Sequence, residues 1–179
     1  MSLITLSPAQ ALYNEQLAVA LGLLTLVAGI GLFSSCRTCV SLLGRLGVKQ
    51  PLEKPLFKRL YGFHPYFWWA FVMFLVLHVA TAFFHTGFPI KGDPDAGIHW
   101  WILGLGFAST LTVPATFLSC RSVATAFEFL SQKNPLSWKF YRGIYRFHGY
   151  YWWLLGVLVI SHFIVAGLHV NFWPTVPPA

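Results

Sequence analysis

Residues 147–169 read FHGYYWWLLGVLVISHFIVAGLH, and residues 63–85 read FHPYFWWAFVMFLVLHVATAFFH. His64, His78 and His85 of the earlier stretch recur as His148, His162 and His169 of the later one, all displaced by the same offset. Both stretches are otherwise almost wholly apolar. An ionisable side chain in such a setting is expensive and is retained where it does chemistry. Two matched helices carrying matched imidazoles are suited to clamping flat metal cofactors between them.

Working outward, the chain is 56% hydrophobic and only 9% charged, against about 25% charged in an ordinary soluble protein. Four apolar runs, Leu17–Phe33, Tyr66–Phe84, Trp100–Leu118 and Tyr151–Leu168, approach or exceed the roughly 18 residues that mark a spanning helix. They lack the polar face that a soluble bundle requires. The expected fold is therefore an all-α integral membrane protein with four transmembrane helices. The first run begins after Glu15 with no basic region before it, so it reads as a retained helix rather than a cleaved signal. The flank MSLITLSPAQALYNEQ is expected to form a short interfacial segment without chemistry.

The repeat extends beyond the histidines. Ser35-Cys36-Arg37 matches Ser119-Cys120-Arg121, Lys49-Gln50-Pro51-Leu52 matches Lys133-Asn134-Pro135-Leu136, and Trp68-Trp69 matches Trp152-Trp153, with no gap from Phe33 to Phe88. Such self-similarity makes the helical hairpin the duplicated unit. The expectation is one transmembrane domain over 1–179, with repeat one at about 17–88 and repeat two at about 100–172. Two hairpins of like orientation form a parallel repeat about an axis along the membrane normal, so the second and fourth helices run the same way. Pro51, Pro55 and Pro135 break two of the connections, and GFPIKGDPDAG breaks the third. Pro114 is expected to kink the third helix, a feature that neighbouring helices tolerate in a membrane. The tryptophans read chiefly as interfacial belts.

Charge sets the orientation. The net charge is +7, and eleven of the twelve Lys and Arg residues lie in 37–59 or 121–146, the exception being Lys91. The positive-inside rule places these two connections in the cytoplasm or its organelle equivalent, with both termini and the middle loop outside. This distribution argues for a membrane surface and against nucleic acid as the partner of the positive charge.

At 3.6 residues per turn, a step of 14 residues returns to within about 40° and climbs about 21 Å, and a step of 7 returns to within about 20° and climbs about 10.5 Å. Each helix therefore carries its three histidines along one stripe. Haem iron accepts two axial imidazoles. The pairs His64/His148 and His78/His162 would hold two haems about 21 Å apart, a two-step electron path through a hydrocarbon core of about 30 Å. A haem on His85/His169 would crowd the second one, so that pair is open as a quinone site, a third haem or an interfacial contact. Ligating imidazoles usually donate their other N–H. Buried carboxylates are lacking, so backbone carbonyls or Ser/Thr hydroxyls must accept. Lys58, Arg59, Arg142 and Arg146 lie within about two turns of His64 or His148 and suit haem propionates. Lys91 and His99 are the cations near the outer level.

These residues resemble the di-haem, four-helix core of the cytochrome b subunit of quinol–cytochrome c reductases. In that family the second and fourth helices each carry two haem ligands, spaced much as His64 and His78 are here. The resemblance implies His64, His78, His148 and His162 as the ligands. RFHGYYWWLLGVLVISHFIVAGLH is similar to the family's fourth helix, and His169 would take the place of a further histidine at a quinone site. The resemblance covers about a third of the chain, and ferric-reductase-like cytochromes share the spacing. The chain departs from the family in the side from which the second helix starts and in the spacing of Gly22, Gly29, Gly31, Gly104 and Gly106. It also lacks the later helices and the acidic quinol-oxidation motif. The resemblance implies two b-type haems, quinone, lipid and other subunits of a redox complex as partners, with this chain an electron-transfer subunit.

Cys36-Arg-Thr-Cys39 has no following histidine and is not a haem c attachment signal; Cys36 and Cys120 read as small packing residues. Two other functions fit the composition. Single histidines could ligate the magnesium of (bacterio)chlorophyll, or the chain could be a haem-free structural anchor. Neither requires histidines paired by level.

Overall fold

A computed structural model describes residues 8–86, 96–131 and 134–169. The described residues are helical almost throughout and contain no strand. Four helices are long and apolar enough to cross a membrane: α1 (Pro8–Ser34), α4 (His64–Thr86), α5 (Ala96–Leu118) and α8 (His148–His169). The protein is thus an all-α, multi-pass membrane protein, as the apolar runs predict. Shorter helices fill the connections: α2 (Arg37–Arg45) and α3 (Pro55–Gly62) in the first, α6 (Arg121–Ser131) and α7 (Lys139–Arg146) in the second.

The chain divides into two compact units, residues 1–88 and 89–179. In the first, α1 packs along α4; in the second, α5 packs along α8. Each unit is one antiparallel hairpin. Their buried positions repeat with the offset of the histidines: Ala28 and Thr112, Leu32 and Thr116, Ser35 and Ser119, Cys36 and Cys120, Trp68 and Trp152, Phe71 and Leu155 are all buried. The exposed positions repeat too, with Trp69, Met73 and Val76 matched by Trp153, Val157 and Ile160. These recur at helical spacing along the outside of α4 and α8, an apolar stripe that suits lipid.

Three expectations are refined. Residues 8–16 continue the first spanning helix rather than forming a separate interfacial segment, because Ala9, Gln10, Ala11 and Glu15 are good helix formers and nothing breaks the helix before Leu17. Pro114 sits inside α5, which runs on to Leu118. Four hydroxyls of α5 bond back to carbonyls one turn earlier, among them Thr110 to Gly106 and Thr112 to Ala108, at 2.9 and 2.7 Å.

The third concerns the connections, which the prolines punctuate without leaving irregular. Pro51 and Pro135 open short 3-10 turns, and Pro55 begins α3, the first-turn position that proline favours. In α7, Tyr141 is buried while Lys139, Arg142 and Arg146 are not. An apolar edge beneath a basic one is the pattern of a helix lying in the membrane interface.

Candidate functional site

Each hairpin sets its histidines by the same device. At the connection-proximal end of unit one, the Ser35 hydroxyl donates to the Leu32 carbonyl at 2.8 Å. Its proton is thereby used, so its oxygen accepts from His64 Nδ1–H at 2.9 Å. In unit two the Ser119 hydroxyl donates to the Thr116 carbonyl at 2.8 Å and accepts from His148 Nδ1–H at 2.8 Å. Both serines stand where the spanning helix ends and the chain turns into the next helix. Both histidines begin their own helices. The sequence repeat Ser-Cys-Arg contains the acceptor, but only the fold discloses that its partner is the histidine opening the hairpin's other spanning helix.

One level deeper, the acceptors are backbone carbonyls. His78 Nδ1–H donates to Ala18 at 2.9 Å, and His162 Nδ1–H donates to Ile102 at 3.1 Å. A carbonyl can only accept, so the proton of each neutral ring resides on Nδ1. A neutral ring so bonded carries its lone pair on Nε2, and the same holds for His64 and His148 when the serine oxygen accepts. The hydrogen bond made by one ring nitrogen decides which nitrogen is available to a metal.

Glycine supplies the room. A Cβ built on Gly22 would lie 3.1 Å from His78 Cε1, and one on Gly106 would lie 3.3 Å from His162 Cε1. Gly22 and Gly106 are related by the offset that relates His78 to His162, so this close approach belongs to the repeat. Extending the offset upstream of Phe33 would have found it.

The two units differ at the first level. His64 is 5% exposed, whereas His148 is half-buried. Trp68 and Trp152 meet these rings edge-on, with centroids 6.5 and 6.4 Å apart and interplanar angles of 87° and 89°. In unit two the Trp152 indole N–H donates to His148 Nε2 at 3.1 Å.

At the far end, His169 is joined to His99 of α5, Nε2 to Nε2 at 2.9 Å, with rings perpendicular. Sequence reasoning named His99 only as a nearby cation. His85 lies in α4, but its side chain, like Lys91 and residues 170–179, is outside the described residues. Lys58 and Arg59 are exposed on α3, and Arg142 and Arg146 lie on the accessible side of α7. Arg142 Nη2 donates to the Ser137 carbonyl at 3.3 Å, and the Arg146 guanidinium lies 5.9 Å from the centre of the Phe147 ring. Among the described residues, no three histidine, cysteine or acidic side chains converge on one point.

No family model, curated protein or solved structure matches the chain.

Proposed function

We propose that this protein is a di-haem b-type cytochrome subunit, carrying electrons across the membrane between a quinone pool and a partner redox subunit. The observation that carries the reading is the shared state of His64, His78, His148 and His162. In each, Nδ1 is engaged by an oxygen of its own hairpin, which in the neutral ring leaves the lone pair on Nε2; at His148 that nitrogen accepts the Trp152 indole N–H. That is the preparation an axial imidazole needs. When bound, haem supplies one-electron chemistry at a potential set by its ligands and surroundings.

The residues of the chain do the rest. Ser35 and Ser119 orient the first pair, His64 and His148. The carbonyls of Ala18 and Ile102 orient the second, His78 and His162, while Gly22 and Gly106 leave the ring edges uncrowded. Lys58, Arg59, Arg142 and Arg146 offer cations for propionates on the basic side, which the positive-inside rule assigns to the cytoplasm. Lys91 is the corresponding cation toward the other face. The same basic side, with its exposed amphipathic helices, would receive a partner subunit or anionic lipid. His169 contributes to a quinone site or a further haem in this reading, with His85 as its counterpart.

The test is a dithionite-reduced minus oxidised spectrum of the purified chain, with haem quantified against protein. Two b-type haems per chain are expected. A magnesium pigment in place of haem, or no chromophore after supplementation with haem during expression, overturns the proposal.

A further inference from the structure

The pair His99–His169 stands apart from the repeat. Position 99 corresponds to Glu15 in the first unit, so the imidazole pair is a feature of the second hairpin alone. His99 lies one turn into α5, and His169 is the last residue of α8. Both are half-buried and lie at the ends of their helices. Their Nε2 atoms are 2.9 Å apart, the ring centroids 4.7 Å apart and the planes at 88°.

We propose that His99 and His169 form a binding site for a borderline divalent cation of the zinc class. In the metal-free chain one ring donates its Nε2 proton to the Nε2 lone pair of the other. With both rings protonated on Nδ1 instead, two lone pairs converge on the same point, and a cation replaces the bridging proton. Zinc bonded to imidazole nitrogen at about 2.0–2.1 Å in tetrahedral geometry separates two such nitrogens by about 3.3 Å. The rings need to part by only about 0.4 Å from their present spacing, a small rotation of two side chains on neighbouring helices. Imidazole is a preferred ligand of zinc, copper and nickel, and water completes the coordination at a half-buried position. Each ring stays neutral, its proton moving from Nε2 to Nδ1 where needed, so charge and atoms balance. Neither residue belongs to the four proposed haem ligands; zinc at this pair takes the place of the quinone or further-haem role offered above for His169, and its test is read without haem.

The test uses the full-length purified chain, stripped with chelator and titrated with Zn2+ alone by calorimetry. One Zn2+ per chain is expected, with affinity reduced about tenfold or more, equivalent to about 1.4 kcal/mol, in both His99→Ala and His169→Ala. Histidine modification by diethyl pyrocarbonate, read by mass spectrometry on the unmutated chain, provides a second measurement should a variant fail to fold. Zn2+ is expected to protect His99 and His169 together. Zinc uptake that is absent, or unchanged in the double variant, overturns the proposal. So does equal modification of both residues with and without zinc.

Discussion

The two hairpins are built to one plan and finished differently. Both orient a first histidine with a serine at the helix end and a second with a backbone carbonyl of the hairpin's first spanning helix. Unit one buries His64 and places Phe57 and Glu15 where unit two places Tyr141 and His99. Unit two leaves His148 half-open and covers its Nε2 with Trp152. What recurs after duplication is the orientation of the imidazoles. What has diverged is their surroundings.

The sharpest way to break the equivalence is to remove the four proposed haem ligands singly. His64→Ala and His148→Ala are expected to abolish the same haem component of the difference spectrum, and His78→Ala and His162→Ala the other one. Each substitution costs one haem of two. Four distinct spectral losses, or none, would show that the units do not share their cofactors.

The glycines come next. Gly22→Ala places a methyl 3.1 Å from an imidazole carbon and Gly106→Ala places one 3.3 Å away. Overpacking costs about 1–3 kcal/mol, and the closer approach predicts the larger loss at Gly22, measurable as a fall in thermal midpoint. Equal shifts would mean that α1 and α5 yield equally.

Ser35→Ala and Ser119→Ala sharpen the contrast in burial. Each removes the acceptor of an Nδ1–H, at a cost of about 1–3 kcal/mol where the donor is buried. Because His64 is the more enclosed ring, Ser35→Ala is expected to cost more. It should also shift the midpoint potential of the haem at that level, read by redox titration. Replacement by threonine restores the hydroxyl and should reverse part of both effects.

Tyr141→Phe converts unit two to the unit one residue and gives the smallest effect. The Tyr141 hydroxyl is buried with no hydrogen-bond partner among the described residues. Stability is therefore expected to stay level or rise by about 1 kcal/mol. Burial foremost, aided by the neighbouring Cys120 and Tyr145, pushes this phenol above its ordinary range. Folding thus favours its neutral form. The native chain should lose stability as pH rises past the usual tyrosine range of about 10, and the phenylalanine variant should lose less. Denaturant midpoints measured across that range decide it.

How much of this was legible beforehand depends on what carried each signal. The spanning helices were plain because apolar runs of that length have few other uses, and the equivalence of the histidines was plain because side chains are written in the sequence. The partner of His78 was not, since a backbone carbonyl leaves no mark: Ala18 and Ile102 share no side-chain chemistry, yet do the same thing. Gly22 and Gly106 lie upstream of the gap-free match, where the offset still pairs Leu21-Gly22 with Leu105-Gly106 although most neighbours differ. The connection helices were hidden by their prolines, which start helices as readily as they end them. The His99–His169 contact joins the two ends of a hairpin, and the residue equivalent to His99 is Glu15, so the repeated histidines did not point to it.

The in-hairpin bonds have a consequence for biosynthesis. Ser35 and Ala18 are both synthesised before the histidines they orient. Once His78 has entered the membrane beside α1, the first hairpin holds the described partners of both its candidate ligands. Compact units fold one by one during synthesis, the N-terminal one first. The nascent chain therefore has one half of each proposed bis-histidine clamp already set while the other half is still being translated.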